Sequence, residues 1–242
     1  MKIRDSVAYI TGANRGIGLA FAQALLAEGA KKVYAAARNP ETVKLAGVYP
    51  VRLDVTKPEE VAAAARDCGE VSLLINNAGI TLRSSFLGAD GINAARSEME
   101  TNYIGPLAVS RAFAPVLARN GGGIIVNVLS ALSWVTLPTS GTYSASKAAA
   151  WALTNGLRTE LRGQGTQVLG LHVAFVDTEM TSHVNAPKAT PADVVRQALT
   201  AIEAGREEVL ADEPTRQIKA GLSNDRGIYL NFDPSRAFKA AS

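Results

Sequence analysis

Cysteine is nearly absent: Cys68 is the only one in 242 residues. An intrachain disulfide is therefore excluded, and with it the small disulfide-stapled folds; a reducing cytosol is the natural setting. Nothing in its neighbourhood would activate Cys68, which reads as a buried, inert thiol. Charged residues are also sparse, at 19%, and the net +3 is spread without any Lys/Arg run. That dispersal excludes a phosphate-neutralising stripe, so no nucleic-acid partner is expected. Aromatics make up only 6% against 47% hydrophobic residues overall. A core of Ala, Val and Leu suits buried parallel strands covered by Ala-rich helices. Residues 120–146 carry no charge at all, yet Asn127, Ser130, Ser133, Thr136, Pro138 and Ser144 interrupt them. This is no membrane span, and no membrane partner is expected. The opening Met1-Lys2-Ile3-Arg4-Asp5 runs straight into a strand-like segment, without the pattern of a signal peptide, so a cytoplasmic location is expected.

What is present is an alternation of short apolar runs with helical stretches. Strands are expected at residues 7–11, 32–37, 51–55, 71–76, 123–129, 167–176 and 208–211. Helices are expected at 16–28, from Pro58 behind a Thr56 cap, at 92–119 with Pro106 and Pro115 perturbing it, at 143–162, and at 192–204. This predicts an α/β fold, a doubly wound parallel sheet of about seven strands with helices on both faces. Its length fits one domain, residues 1–242, with a polar tail at 223–242. Ligands of such sheets bind beyond the carboxyl ends of the strands. The motifs all fall there.

Thr11-Gly12-Ala13-Asn14-Arg15-Gly16-Ile17-Gly18 joins the first strand to a helix. Glycines let the backbone approach a pyrophosphate, and the helix N-terminus attracts the anion, so the turn predicts a dinucleotide. An acid ending the second strand would bind a ribose 2′-hydroxyl and repel a 2′-phosphate. Arg38 stands there instead, and Arg15 adds a second cation, which favours NADP(H). Tyr143 and Lys147 are four residues apart, one helical turn, and share a helix face. The ammonium is expected to lower the phenol pKa and let it exchange a proton near neutral pH. Ser130, thirteen residues earlier, supplies a second hydroxyl for the oxygen on which charge builds during hydride transfer. Lys147 also has the reach to bond ribose hydroxyls.

These motifs, with Asp54-Val55, Asn76-Asn77-Ala78-Gly79, Asn102 and Tyr143-Ser-Ala-Ser-Lys147 in order, resemble the short-chain dehydrogenase/reductase superfamily, its single-domain, NADP-preferring type. The resemblance runs from Val7 to about Ala211. It implies a Rossmann-type fold and a catalytic tetrad of Asn102, Ser130, Tyr143 and Lys147, with Asn102 holding a water that links Lys147 to solvent. It further implies that Asp54, beside Val55, bonds the adenine amino group. Asn77, Ala78 and Gly79 line the adenosine ribose, and Val176 and Thr178 bond the nicotinamide carboxamide. Gly12, Asn14, Gly16, Ile17 and Gly18 complete the expected cofactor site; no metal is expected. One departure stands out: the family usually has Pro-Gly where this chain has Val173-Ala174, which changes backbone freedom. A homodimer or homotetramer is implied, with Ala145, Ala148, Ala149 and Ala152 permitting close helix packing.

The substrate wall is expected from Leu132, Trp134, Val135, Leu137 and Pro138, faced by Ile80 and Leu82, with a lid at 180–188. These side chains predict an apolar or aryl-alkyl carbonyl. His183 is expected on the lid surface and His172 packed in its strand. The expected activity is an NADPH-dependent carbonyl reductase or alcohol dehydrogenase acting on a ketone, aldehyde or secondary alcohol. A 3-oxoacyl-thioester reductase and a non-catalytic NADPH-binding sensor are the alternatives.

Overall fold

The computed structural model describes residues 1–234 and Phe238; the remaining residues of the polar tail, 235–237 and 239–242, lie outside the described ones. Seven strands are present: β1 (Val7–Thr11), β2 (Lys32–Ala37), β3 (Tyr49–Arg52), β4 (Leu73–Asn76), β5 (Gly123–Val128), β6 (Thr166–His172) and β7 (Glu208–Leu210). They form one sheet in the order β3-β2-β1-β4-β5-β6-β7, with every neighbouring pair parallel. The described helices are α1 (Gly16–Ala27), α2 (Pro58–Asp67), α3 (Gly91–Met99), α4 (Gly105–Arg119), α5 (Gly141–Glu160), α6 (Pro191–Glu203) and α7 (Glu213–Gly221).

Successive side chains of a strand point to opposite faces, and here both faces are covered. Ala8 and Ile10 of β1 join a layer with Phe21 and Leu25 of α1 and Val194, Ala198 and Ile202 of α6. Tyr9, between them, joins the opposite layer with Val61 of α2, Phe113 and Leu117 of α4 and Leu157 of α5. This is why the strands read as continuous apolar runs without polar alternation. Phe113 is fully buried, with its ring 4.8 Å from that of Tyr9. Truncating it to Ala should cost about 3–5 kcal/mol, readable as a lower denaturant midpoint. The strand order reverses between β1 and β4, which opens a crevice at their carboxyl ends.

Four expectations are corrected. The third strand stops at Arg52, because Asp54 leaves it in a tight turn. Its N–H donates to Glu60 (2.6 Å), and its carboxylate accepts the Thr56 N–H (3.0 Å) and hydroxyl (2.8 Å). Thr56 is thereby committed to Asp54 and does not cap α2, whose N-cap position is Lys57. The sixth strand stops at His172, not Val176. The Ala174 N–H turns to Asp212 (2.7 Å), whose other oxygen caps α7 through the Thr215 N–H (2.9 Å); α7 itself has no counterpart among the expected helices. The stretch expected as one helix at 92–119 is α3, a π-helical turn at Glu100–Ile104, then α4. Pro106 sits harmlessly in the first turn of α4, and Pro115 lies inside it.

Candidate active site

A cleft of about 990 Å³ lies beyond the carboxyl ends of the central strands. Its nucleotide half is built on the turn between β1 and α1. Gly12 and Gly16 adopt φ of +66° and +56°, a region that glycine enters without strain. A Cβ at Gly18 would stand 2.2 Å from the Gly12 carbonyl oxygen, so only glycine lets α1 pack under the turn. The Asn77 amide holds the turn by donating to the carbonyls of Thr11 and Gly12, both at 3.0 Å. The Thr11 hydroxyl in return accepts the N–H groups of Asn77 and Ala78. Helix α1 begins at Gly16 without a side-chain cap. Its first-turn N–H groups are therefore available to an anion in the cleft that Asn14, Gly16 and Ile17 line.

Charge is arranged around this end. Arg38, exposed at the end of β2, Asp54 and Val55 line the cleft. Burial pushes the Asp54 carboxyl up, but the Thr56 hydrogen bonds and the Arg38 charge outweigh it and hold Asp54 below its ordinary value. Arg15 pairs with Glu179. Both side chains are exposed, and such pairs are weak, so a phosphate can take Arg15 from Glu179. Ala78, Gly79, Val176 and Thr178 continue the lining toward the other half. A pyrophosphate-bearing dinucleotide fits these residues on three counts: the glycine cradle, the uncapped helix start and the two cations.

The reaction half gathers Ser130, Tyr143 and Lys147 on the cleft wall. Ser130 stands two residues beyond β5, and its Oγ accepts the Leu132 N–H at 3.1 Å, which opens a short 3-10 turn at Ala131–Ser133. Its side chain also hydrogen-bonds Tyr143. Lys147 lies one turn along α5, with Nζ 5.8 Å from the Tyr143 ring centroid and donating to the Val128 carbonyl at 2.9 Å. Asn102, in the π turn, is 1% exposed and does not line the cleft. It accepts the Ile80 N–H (2.8 Å) and donates to the Ile80 carbonyl (2.9 Å) and the Ser146 hydroxyl (2.9 Å). A Cβ at Gly79 would lie 3.1 Å from Asn102 Oδ1 and 3.8 Å from Lys147 Nζ. Asn102 and Lys147 thus both border the space beside Gly79, where a side chain would be tight. π turns recur at functional sites.

The expected lowering of the Tyr143 pKa is not found. Burial pushes it up to about 12, the Ser130 hydrogen bond pulls it back, and the carboxylate of Glu98 adds to the rise. Burial also pushes Lys147 down to about 8. Desolvation opposes a charge on either group, and here it is the largest cause for both.

Of the expected substrate wall, Ile80, Leu82, Leu132 and Leu137 line the cleft, whereas Trp134, Val135 and Pro138 do not. The turn after Ser130 sends Trp134 backwards onto buried His172, with the rings stacked at 4.1 Å and 20°. Burial holds His172 down at about 3, so the ring is a neutral packing surface, as its place in the strand suggested. His183 is exposed and lines the cleft. The pattern gave no notice of Phe175 and Phe238, which also line the cleft with ring centroids 4.7 Å apart. Phe175 follows the Val173-Ala174 departure. Among the described residues Arg83 alone of the non-glycines has positive φ, so the backbone at Ala174 does not demand glycine.

Comparison with known proteins agrees with this geometry. The family model described as short chain dehydrogenase matches residues 6–189, and the chain belongs to that family of oxidoreductases. An uncharacterized oxidoreductase of Staphylococcus aureus (strain MRSA252) is 32% identical over 83% of this chain and 92% of its own. Dehydrogenase/reductase SDR family member 7B of Danio rerio is 30% identical over 94% and 81%. The crystal structure of a short chain dehydrogenase from Burkholderia cenocepacia J2315 in complex with NADP superposes with a TM-score of 0.90 at 43% identity, covering 93% of this chain and 96% of that one. Among the described residues, no helix is long and apolar enough to cross a membrane.

Proposed function

We propose that the protein is an NADP(H)-dependent reductase of apolar ketones and aldehydes, running the reverse alcohol oxidation through the same groups. The observation that carries this reading is the meeting of Ser130, Tyr143 and Lys147 on the wall of a cleft whose far end is a glycine cradle flanked by Arg15 and Arg38. The 43% identical relative solved with NADP supports the choice of cofactor. Arg38, with no acid at the end of β2, favours the 2′-phosphate. When bound, the nicotinamide supplies or takes the hydride.

The chain's own residues do the rest. The Ser130 and Tyr143 hydroxyls hold the carbonyl oxygen, where negative charge grows. Tyr143 gives that oxygen its proton; a phenol raised to about 12 is fully protonated at neutral pH, the form reduction needs. Lys147 holds the ribose hydroxyls and returns a proton toward Tyr143. Asn102, which borders Gly79 as Lys147 does, holds a water that links that ammonium to solvent. Leu132, Leu137, Phe175 and Phe238 exclude water and favour an aryl-alkyl carbonyl. Solvent-exposed Ala145 and Ala152 on α5 support a homodimer or homotetramer, in the cytosol.

The test is fluorescence titration with NADPH and NADH, followed by loss of reduced-cofactor absorbance with a panel of aryl and alkyl carbonyls. Tighter binding of NADPH with turnover of aryl-alkyl ketones is expected. Turnover confined to 3-oxoacyl thioesters would move the reading to that alternative. Binding without turnover on any carbonyl would leave the sensor.

A further inference from the structure

The cleft wall at residues 80–84 has no strand beside it. Its backbone is held by side chains at alternate residues. Asn102 takes both polar groups of Ile80. Glu98, one helical turn before Asn102, accepts the Leu82 N–H at 2.6 Å. Thr142, beside Tyr143, donates to the Ser84 carbonyl at 3.2 Å. Three side chains from α3, the π turn and α5 thus stand where a neighbouring strand would, and Leu82 is in the lining of the cleft.

Glu98 is the unusual member. It is 0% exposed, where an acid is seldom found without full pairing. Oε1 has the Leu82 N–H, but Oε2 is buried without a hydrogen-bond partner among the described residues. Helix α3, which carries it, packs on α5, which carries Tyr143. Among the described residues no hydrogen bond offsets the desolvation of Oε2, which points to a use at the reaction site. We propose that Glu98 is a positioning residue of this site: one oxygen fixes the substrate wall at Leu82, and the other sets the charge that Tyr143 works against. The inference rests on the oxidoreductase reading above.

The groups facing Tyr143 fix the sign. Lys147 on the same helix holds its Nζ 5.8 Å from the ring centroid. Behind Ser130, His172 of β6 is neutral, and the Ala131–Ser133 turn brings no charge. Glu100 of the π turn, Arg83 and His183 line the open cleft among solvent, where screening weakens them. On α3, the Glu98 carboxyl group adds to burial in raising the proton affinity of Tyr143. A carboxylate here keeps Tyr143 protonated and favours the reductive direction. Removing its charge stabilises phenolate and moves the alkaline-rising limb of alcohol oxidation to lower pH.

Glu98→Gln separates charge from scaffold, because its amide oxygen still accepts the Leu82 N–H. For this variant, the rising limb of kcat/KM for alcohol oxidation is expected to move down by roughly half a pH unit or more, with the ketone KM within about twofold of the parent. Glu98→Asp, which keeps the charge, should leave the limb near that of the parent and raise KM. A limb unmoved in Glu98→Gln, with KM alone changed, would reduce Glu98 to a wall support and overturn the proposal. A parent enzyme without turnover in either direction would instead overturn the oxidoreductase reading, and this inference with it.

Discussion

The two halves of the cleft solve opposite problems. The nucleotide half works with exposed charge: Arg38 and the Arg15–Glu179 pair stand in solvent, around glycines that bring backbone close. The reaction half works with burial: Lys147 is 6% exposed, Asn102 1% and Glu98 0%. Solvent-exposed charges are adaptable and screened by salt. Burial fixes groups in place, and it shifts the proton affinities of Tyr143 and Lys147. The first half is suited to capture, and the second to holding a proton at one oxygen. Substitutions in the first should therefore act on affinity, and those in the second on rate and its pH dependence.

Tyr143→Phe should give the largest effect. Losing the proton donor should lower kcat by about 10²–10⁴-fold, measured as NADPH consumption with a reactive ketone. Next comes Lys147→Met. Below pH 8 Lys147 is an ammonium and Tyr143 a phenol, the pair that reduction needs. As pH rises through about 8 Lys147 loses its charge, so kcat/KM for reduction should fall across that range in the parent. In Lys147→Met it should be lower throughout and flat there, which a pH profile from 6 to 10 reads directly. Arg38→Ala should weaken NADPH binding by about tenfold, since a charge-assisted bond at an exposed site is screened; NADH binding should hardly change, as paired titrations would reveal. The smallest effect is expected from Trp134→Phe, which keeps an aromatic ring against His172. Because Trp134 does not line the cleft, kcat/KM across the ketone panel should change by less than about twofold. A clear change in substrate preference would return Trp134 to the substrate wall.

The sheet was legible because strands buried on both faces leave unbroken apolar runs, and helices between them fix parallel pairing. Ser130, Tyr143, Lys147 and the glycine turn were legible because short-range spacing determines where they lie on their elements. What escaped depends on contacts distant in sequence. Whether Trp134 or Leu137 faces the cleft is decided by the turn that Ser130 opens through Leu132. Helix α7 is tied to the sixth strand's exit by Asp212, 38 residues from Ala174. Glu98 sits between Arg96 and Glu100 and reads as one more polar residue on a solvated helix, until the 80–84 wall covers it. The direction of the Tyr143 shift escapes the sequence for the same reason. Spacing reveals the cation one turn away but not the burial that outweighs it.

The division between capture and chemistry is tested most directly by measuring NADPH dissociation constants and single-turnover rates for Tyr143→Phe and Arg38→Ala side by side. The predicted result is a crossover: Tyr143→Phe binds NADPH like the parent and loses the rate, while Arg38→Ala loses affinity and keeps the rate at saturating NADPH. Affinity and rate falling together in both variants would contradict it, and would mean that the two halves of the cleft act as one unit.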